Sequence, residues 1–106
     1  MLNEFIDIIN FGKTVDNDVW NTSDAVAKLF EEGGELSQAA MVKSGKLPHK
    51  IYKPDNDVEE TADVILCALD ILGKCNPNVP AEELLEKLRL MLIKKSAKWK
   101  GIQANL

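Results

Sequence analysis

Five carboxylates in this chain stand at spacings that could hold a divalent cation. Glu31-Glu32-x-x-Glu35 is answered downstream by Glu60-x-x-Asp63. On a helix, Glu31 and Glu35 are four apart and Glu32 and Glu35 three apart, so all three share one broad face. Glu60 and Asp63 share a face of their own helix in the same way. Like charges so placed repel, and if buried they cost more unless a cation or protons compensate. An oxygen-only donor set suits hard Mg²⁺, with Mn²⁺ as a substitute, and lacks the soft ligands of a structural zinc site. Mg²⁺ held this way commonly serves a phosphate chain. The plainer reading is a solvated acidic surface, since the chain carries 17 Asp and Glu among 106 residues.

The elements that must position these groups read as helices. Leu2, Phe5, Ile6 and Ile9 recur at helical spacing, with Gly12 as a stop and 13–21 as a polar connection in which Trp20 anchors the next helix. The second helix begins near Thr22-Ser23-Asp24, any of which could cap it. Its apolar positions are Val26, Leu29, Phe30, Leu36 and Ala40, and Ser44-Gly45 ends it. Gly33-Gly34 lies mid-helix, at about 1 kcal/mol per glycine relative to alanine. Such a pair implies a bend, close packing or room for a metal. Pro48 and Pro54 break the next stretch, where a single turn could form around residues 49–52.

A third helix runs from about Asp57 to Gly73, with Asp55 or Asp57 as cap and Val58, Ala62, Ile65, Leu66, Leu69 and Leu72 on its buried side. Asn76-Pro77-Asn78 follows as a stop. Pro80 suits a first turn. The fourth helix then carries Leu84, Leu85, Leu88, Leu92 and Ile93 toward about Lys98. Glu82 and Glu83 at its start and Lys94, Lys95 and Lys98 at its end suit the helix dipole. The expectation is an all-α, compact antiparallel bundle of about four helices in one domain, 1–106.

Composition narrows the function classes. Net charge is −4 and the isoelectric point about 5.0, which argues against a dedicated nucleic-acid binder. Cys67 reads as a small core residue and Cys75 as a helix-end residue. Two cysteines and the lone His49 make neither a disulfide scaffold nor a zinc site. Met1-Leu2-Asn3-Glu4 lacks a leader-like pattern and no run reaches transmembrane length, so the expected setting is cytoplasmic, with no membrane partner. A chain this small buries a modest core, which makes self-association plausible. His49 lies in a basic connection with Lys43, Lys46, Lys50 and Lys53, read as a solubilising loop pinned by Tyr52.

The two acidic blocks resemble those of the MazG-like family of all-α nucleoside triphosphate pyrophosphohydrolases. The residues that carry the likeness are Leu29-Phe30-Glu31-Glu32-Gly33-Gly34-Glu35-Leu36 and Glu59-Glu60-Thr61-Ala62-Asp63-Val64-Ile65, and it spans about Trp20 to Trp99. The resemblance implies that Glu31, Glu32, Glu35, Glu60 and Asp63 bind Mg²⁺ (or Mn²⁺). It implies hydrolysis between the α and β phosphates of a nucleoside triphosphate, with Glu32 or Glu35 as the base that takes the proton of the attacking water. It also implies a homodimer or homotetramer.

Candidate cations toward the substrate are Lys28, one turn before Glu31-Glu32, and Lys94, Lys95 and Lys98 near the C-terminus. Lys95-Ser96-Ala97-Lys98-Trp99 matches the family's basic-amide-basic pattern only in part, since serine replaces a longer amide. Gly33 also stands where family members often carry a bulkier apolar residue. Trp20 and Trp99 could stack on a base, but packing is the favoured reading. The acidic motif leaves the base open, so a narrower dUTP, dCTP or phosphoribosyl-ATP pyrophosphatase fits the same residues. A non-catalytic acidic helical module that binds a nucleotide or a protein is the reading from another class, with the fourth helix as its docking face.

Overall fold

The computed structural model describes residues 2–14, 20–47 and 50–104, apart from the side chains of residues 103 and 104. These residues form four helices, α1 (Leu2–Thr14), α2 (Thr22–Lys43), α3 (Asn56–Cys75) and α4 (Ala81–Ala104), with no strand among them. α3 is the centre of the bundle. It packs against α2 on one side and α1 on the other, and α4 packs chiefly on α1.

Local chemistry sets the boundaries. Asn21, not a residue of Thr22–Asp24, caps α2: its side-chain oxygen accepts from the Asp24 N–H at 2.9 Å, while its own N–H donates to Asp24 Oδ2 at 3.0 Å. Asp24 is thus the third helical residue of a capping box, the reciprocal arrangement that satisfies two first-turn donors. At the other end Gly45 adopts φ 80°. Its N–H bonds Val42 O at 3.1 Å and that of Lys46 bonds Met41 O at 2.9 Å, the paired closure of a Schellman motif.

Three expected boundaries move. Gly12 does not stop α1, which runs to Thr14. Gly73 does not stop α3, which runs to Cys75, while Asp55 takes the expected cap position with a left-handed φ of 62° and no side-chain cap bond. Pro80 lies just outside α4, and the helix continues six residues past Lys98. Its lysines are therefore inside the helix rather than at its negative end, and its last turn holds no basic residue. The expected turn over 49–52 falls partly outside the described residues, as does His49.

Gly12 and Gly73 make the α1–α3 crossing. A Cβ on Gly73 would lie 2.2 Å from Ile9 O, and one on Gly12 would lie 2.5 Å from Asp70 O, so backbone meets backbone at both points. Around this crossing Ile9, Leu69, Ala81 and Leu84 form the buried core, with Phe5, Ile6, Leu72, Leu85 and Leu88 packed against it. A polar chain ties the same region together. The Trp20 indole N–H donates to Asp70 Oδ2 at 2.9 Å, and the Lys74 ammonium, 1% exposed, pairs with Asp70 Oδ1 at 2.6 Å. Trp20 is thus bound to α3. The Lys13 ammonium donates to the Val79 carbonyl, fixing the end of α1 to the α3–α4 connection.

Several expected core residues lie outward. On α2 the buried positions are Ala25, Glu32 and Ala39, while Phe30 is 78% exposed and Val26 is also exposed. Val58, Ile65 and Leu66 on α3 are exposed too, as are Leu92 and Ile93 on α4. The apolar stripes are broader than one chain can cover, and α2 is rolled so that small residues and a glutamate face α3. The radius of gyration, 16.2 Å, exceeds the value near 13 Å typical of a compact chain of this length. The C-terminal half of α4, exposed from Arg89 onward, accounts for the extension. Among the described residues no helix is long and apolar enough to cross a membrane.

Candidate metal centre

α2 and α3 run antiparallel, and their seam brings the two acidic blocks together. Glu31, Glu32 and Glu35 each offer an oxygen within 4.8 Å of one another, and so do Glu32, Glu60 and Asp63. Glu32 belongs to both groups. It is the buried hinge of the cluster, 5% exposed, on a helix face where alanines fill the other seam positions. Glu31, Glu35 and Asp63 are exposed and Glu60 half-buried, so the cluster opens to solvent along one side.

Its electrostatics are unbalanced. The only ion-pair partner within the described cluster is Lys28, whose ammonium lies 3.0 Å from Glu32 Oε1 and 3.5 Å from Glu31 Oε1. A hydrogen bond from Lys28 holds the Glu32 carboxyl below its ordinary value, and the same bond pushes the lysine up. Glu35 has no such help. Contact with the carboxylates of Glu32 and Glu60 drives it up to about 7, the behaviour of an acid crowded by like charge. Glu32 Oε2 and Glu60 Oε2 are buried without a hydrogen-bond partner. Leaving such acceptors unpaired is costly, and cation coordination is one way to satisfy them. All donors are carboxylate oxygens, so the set fits Mg²⁺ or Mn²⁺. Cys67, nearby on α3, stays out of the donor set: burial, with Glu32 close by, pushes its thiol up and keeps it protonated.

Gly33 and Gly34 lie between the acids of the first block without interrupting α2. A Cβ at either would meet nothing within 4 Å, so close packing is not their reason. Each stands one or two residues from Glu32 and Glu35 and so does not share their face of the helix.

All five predicted carboxylates are therefore together, with Lys28 beside them. Lys94, Lys95 and Lys98 are not. They are exposed on the projecting half of α4 and form no ion pair among the described residues. Trp99, 64% exposed, fills no core of its own chain. Sequence reasoning missed Gln38, Asn56 and Asp57, which continue the seam one turn beyond the acids. Asp57 pairs with Lys43 at 3.0 Å. Their signal was spacing alone: they stand three or four residues beyond Glu35 and before Glu60. No family model matches the chain, and no curated protein or solved structure was found similar to it.

Proposed function

We propose that the chain is a Mg²⁺-dependent nucleoside triphosphate pyrophosphohydrolase, cleaving between the α and β phosphates to a nucleoside monophosphate and pyrophosphate. One observation carries the metal-centred part of this reading: five carboxylates from two helices converge with a single cationic partner, two orphaned buried oxygens and one carboxyl raised to about 7. The nucleotide substrate class rests on the likeness of the two acidic blocks to the MazG-like pattern. Glu31, Glu32, Glu35, Glu60 and Asp63 would hold the ion. Bound Mg²⁺ would neutralise phosphate charge and lower the pKa of an attacking water.

The protein groups then divide the work. Lys28 keeps Glu32 charged and buried, which makes it a fixed ligand. Glu35, exposed on the open side of the cluster, is the carboxylate suited to take the proton of the attacking water as the bridging bond breaks and pyrophosphate leaves.

The same reading includes a homodimer or homotetramer. Leu90, Leu92, Ile93, Trp99 and Ile102 are exposed on α4. The acids Glu82, Glu83 and Glu86 occupy one end of this helix and Lys94, Lys95, Lys98 and Lys100 the other. Two such helices laid antiparallel would cover part of this apolar surface and match opposite charges end to end. Lys95 and Lys98 project from their own bundle, so any role at phosphate would be in a second copy's site.

Titration calorimetry with Mg²⁺ or Mn²⁺ tests the centre. Saturable binding in the native protein that vanishes in a folded Glu35→Gln variant supports it. Unchanged binding in that variant removes the proposed cluster.

A further inference from the structure

Beyond the carboxylates, along the same α2–α3 seam, lies a cavity of about 410 Å³ that the metal centre does not use. It is lined by Ala39 and Val42 of α2 and by residues 50–53 of the α2–α3 connection. Gln38 follows Glu35 by three residues and Asn56 precedes Glu60 by four, so the cavity begins one helical turn, about 5 Å, from the cluster. That is the order of separation a ribose imposes between a nucleotide's phosphates and its base. The volume falls within the usual range for small-ligand pockets, about 300–1,000 Å³.

The lining has the chemistry of a base site rather than a phosphate site. Gln38 and Asn56 each bring an amide that both donates and accepts, the pairing groups suited to a base edge. Tyr52, also in the lining, is half exposed and offers an unstacked aromatic face, and Ile51 beside it is almost fully exposed. Asp57 also lines the cavity, and its Oδ1 is buried with no hydrogen-bond partner. Lys43, joined to the other oxygen at 3.0 Å, keeps this carboxyl charged and below its ordinary range. A charged carboxylate repels phosphate and accepts from N–H. Lys50 and Lys53 supply positive charge at the mouth, in keeping with an anionic ligand that enters base first.

We infer that this cavity is the nucleobase subsite, that Tyr52 stacks on the base, and that Gln38, Asn56 and Asp57 read its edge, with preference for a base bearing an exocyclic amino group. The inference rests on the pyrophosphohydrolase reading. It goes further in placing the selectivity of the enzyme in the 50–57 region.

The test uses the full chain with Mg²⁺, comparing nucleoside triphosphates with inorganic tripolyphosphate, which has no base. Tyr52→Ala and Gln38→Ala alter exposed side chains, and circular dichroism checks their folding. The expected result is that the preference for nucleotide over tripolyphosphate falls at least about fivefold in Tyr52→Ala, the loss of one stacking contact, through KM rather than kcat. Asp57→Asn should narrow the gap between cytosine or adenine and uracil nucleotides. Nucleotide turnover with KM unchanged in both Tyr52→Ala and Gln38→Ala overturns the subsite and leaves the enzyme reading standing. Failure of the native protein to bind or turn over any triphosphate overturns both.

Discussion

Replacing Gly33 and Gly34 together by alanine should stabilise the fold and leave the acidic cluster working. Both residues are helical, and neither has the positive φ found at Gly45. An added Cβ at either meets no atom within 4 Å, so no packing penalty opposes the change. What remains is helix propensity, about 1 kcal/mol per glycine, hence about 2 kcal/mol for the pair. In a domain this size about 1 kcal/mol moves Tm by roughly 4–8 °C, so the double variant should melt some 8–15 °C higher. Each glycine stands one or two residues from Glu32 and Glu35 and so does not share their face of the helix, and the added methyl groups should leave the acidic cluster undisturbed. Scanning calorimetry with and without Mg²⁺, alongside pyrophosphate release, measures both effects. A raised Tm with metal binding and turnover unchanged is expected. A lowered Tm would refute the reasoning about α2. A raised Tm with Mg²⁺ binding lost would show that the added methyl groups reach the cluster, against the face assignment.

Gly73→Ala should act in the opposite sense, losing about 1–3 kcal/mol or more because its Cβ would meet the Ile9 carbonyl at 2.2 Å; urea denaturation reads the loss. Trp20→Phe removes the hydrogen bond to charged Asp70 and should cost about 1.5–3 kcal/mol by the same measurement, with metal binding intact. The metal-free protein should lose stability as pH rises. Glu35 is raised from 4.5 to about 7, so its favourable contribution is complete below pH 4.5 and lost as pH climbs through about 7. Glu35→Gln should flatten that slope in thermal melts. For the same reason Mg²⁺ binding to the native protein should release a proton near neutrality, seen as a buffer-dependent heat.

Much of the fold was legible because helix signals are local. The Schellman closure at Ser44-Gly45 and the apolar periodicity of α1 and α3 follow from nearby residues. The roll of each helix was not, because it depends on which neighbour a face meets. The stripe Val26, Leu29, Phe30 is as apolar as any core face, yet Phe30 lies in solvent while Ala25, Glu32 and Ala39 face α3. Periodicity could not distinguish a face buried within the chain from one left for another partner. The α1–α3 contact escaped for a related reason: Gly12 reads locally as a stop, whereas its purpose is to let Asp70 approach. The carboxylates were legible because their spacing fixes a shared face on each helix. That Glu32 would be the buried member, and that Lys28 would hold it, needed the seam itself.

The central claim is that this carboxylate centre breaks the α–β bond of a nucleoside triphosphate. The most direct measurement is product analysis: the protein with Mg²⁺, and separately Mn²⁺, against a panel of nucleoside triphosphates and phosphoribosyl-ATP, quantifying nucleoside monophosphate and pyrophosphate. Equal amounts of the two, absent without metal and lost in a folded Asp63→Asn variant, are the predicted result. Release of orthophosphate and a diphosphate instead, or no product from any substrate with either metal, would contradict it.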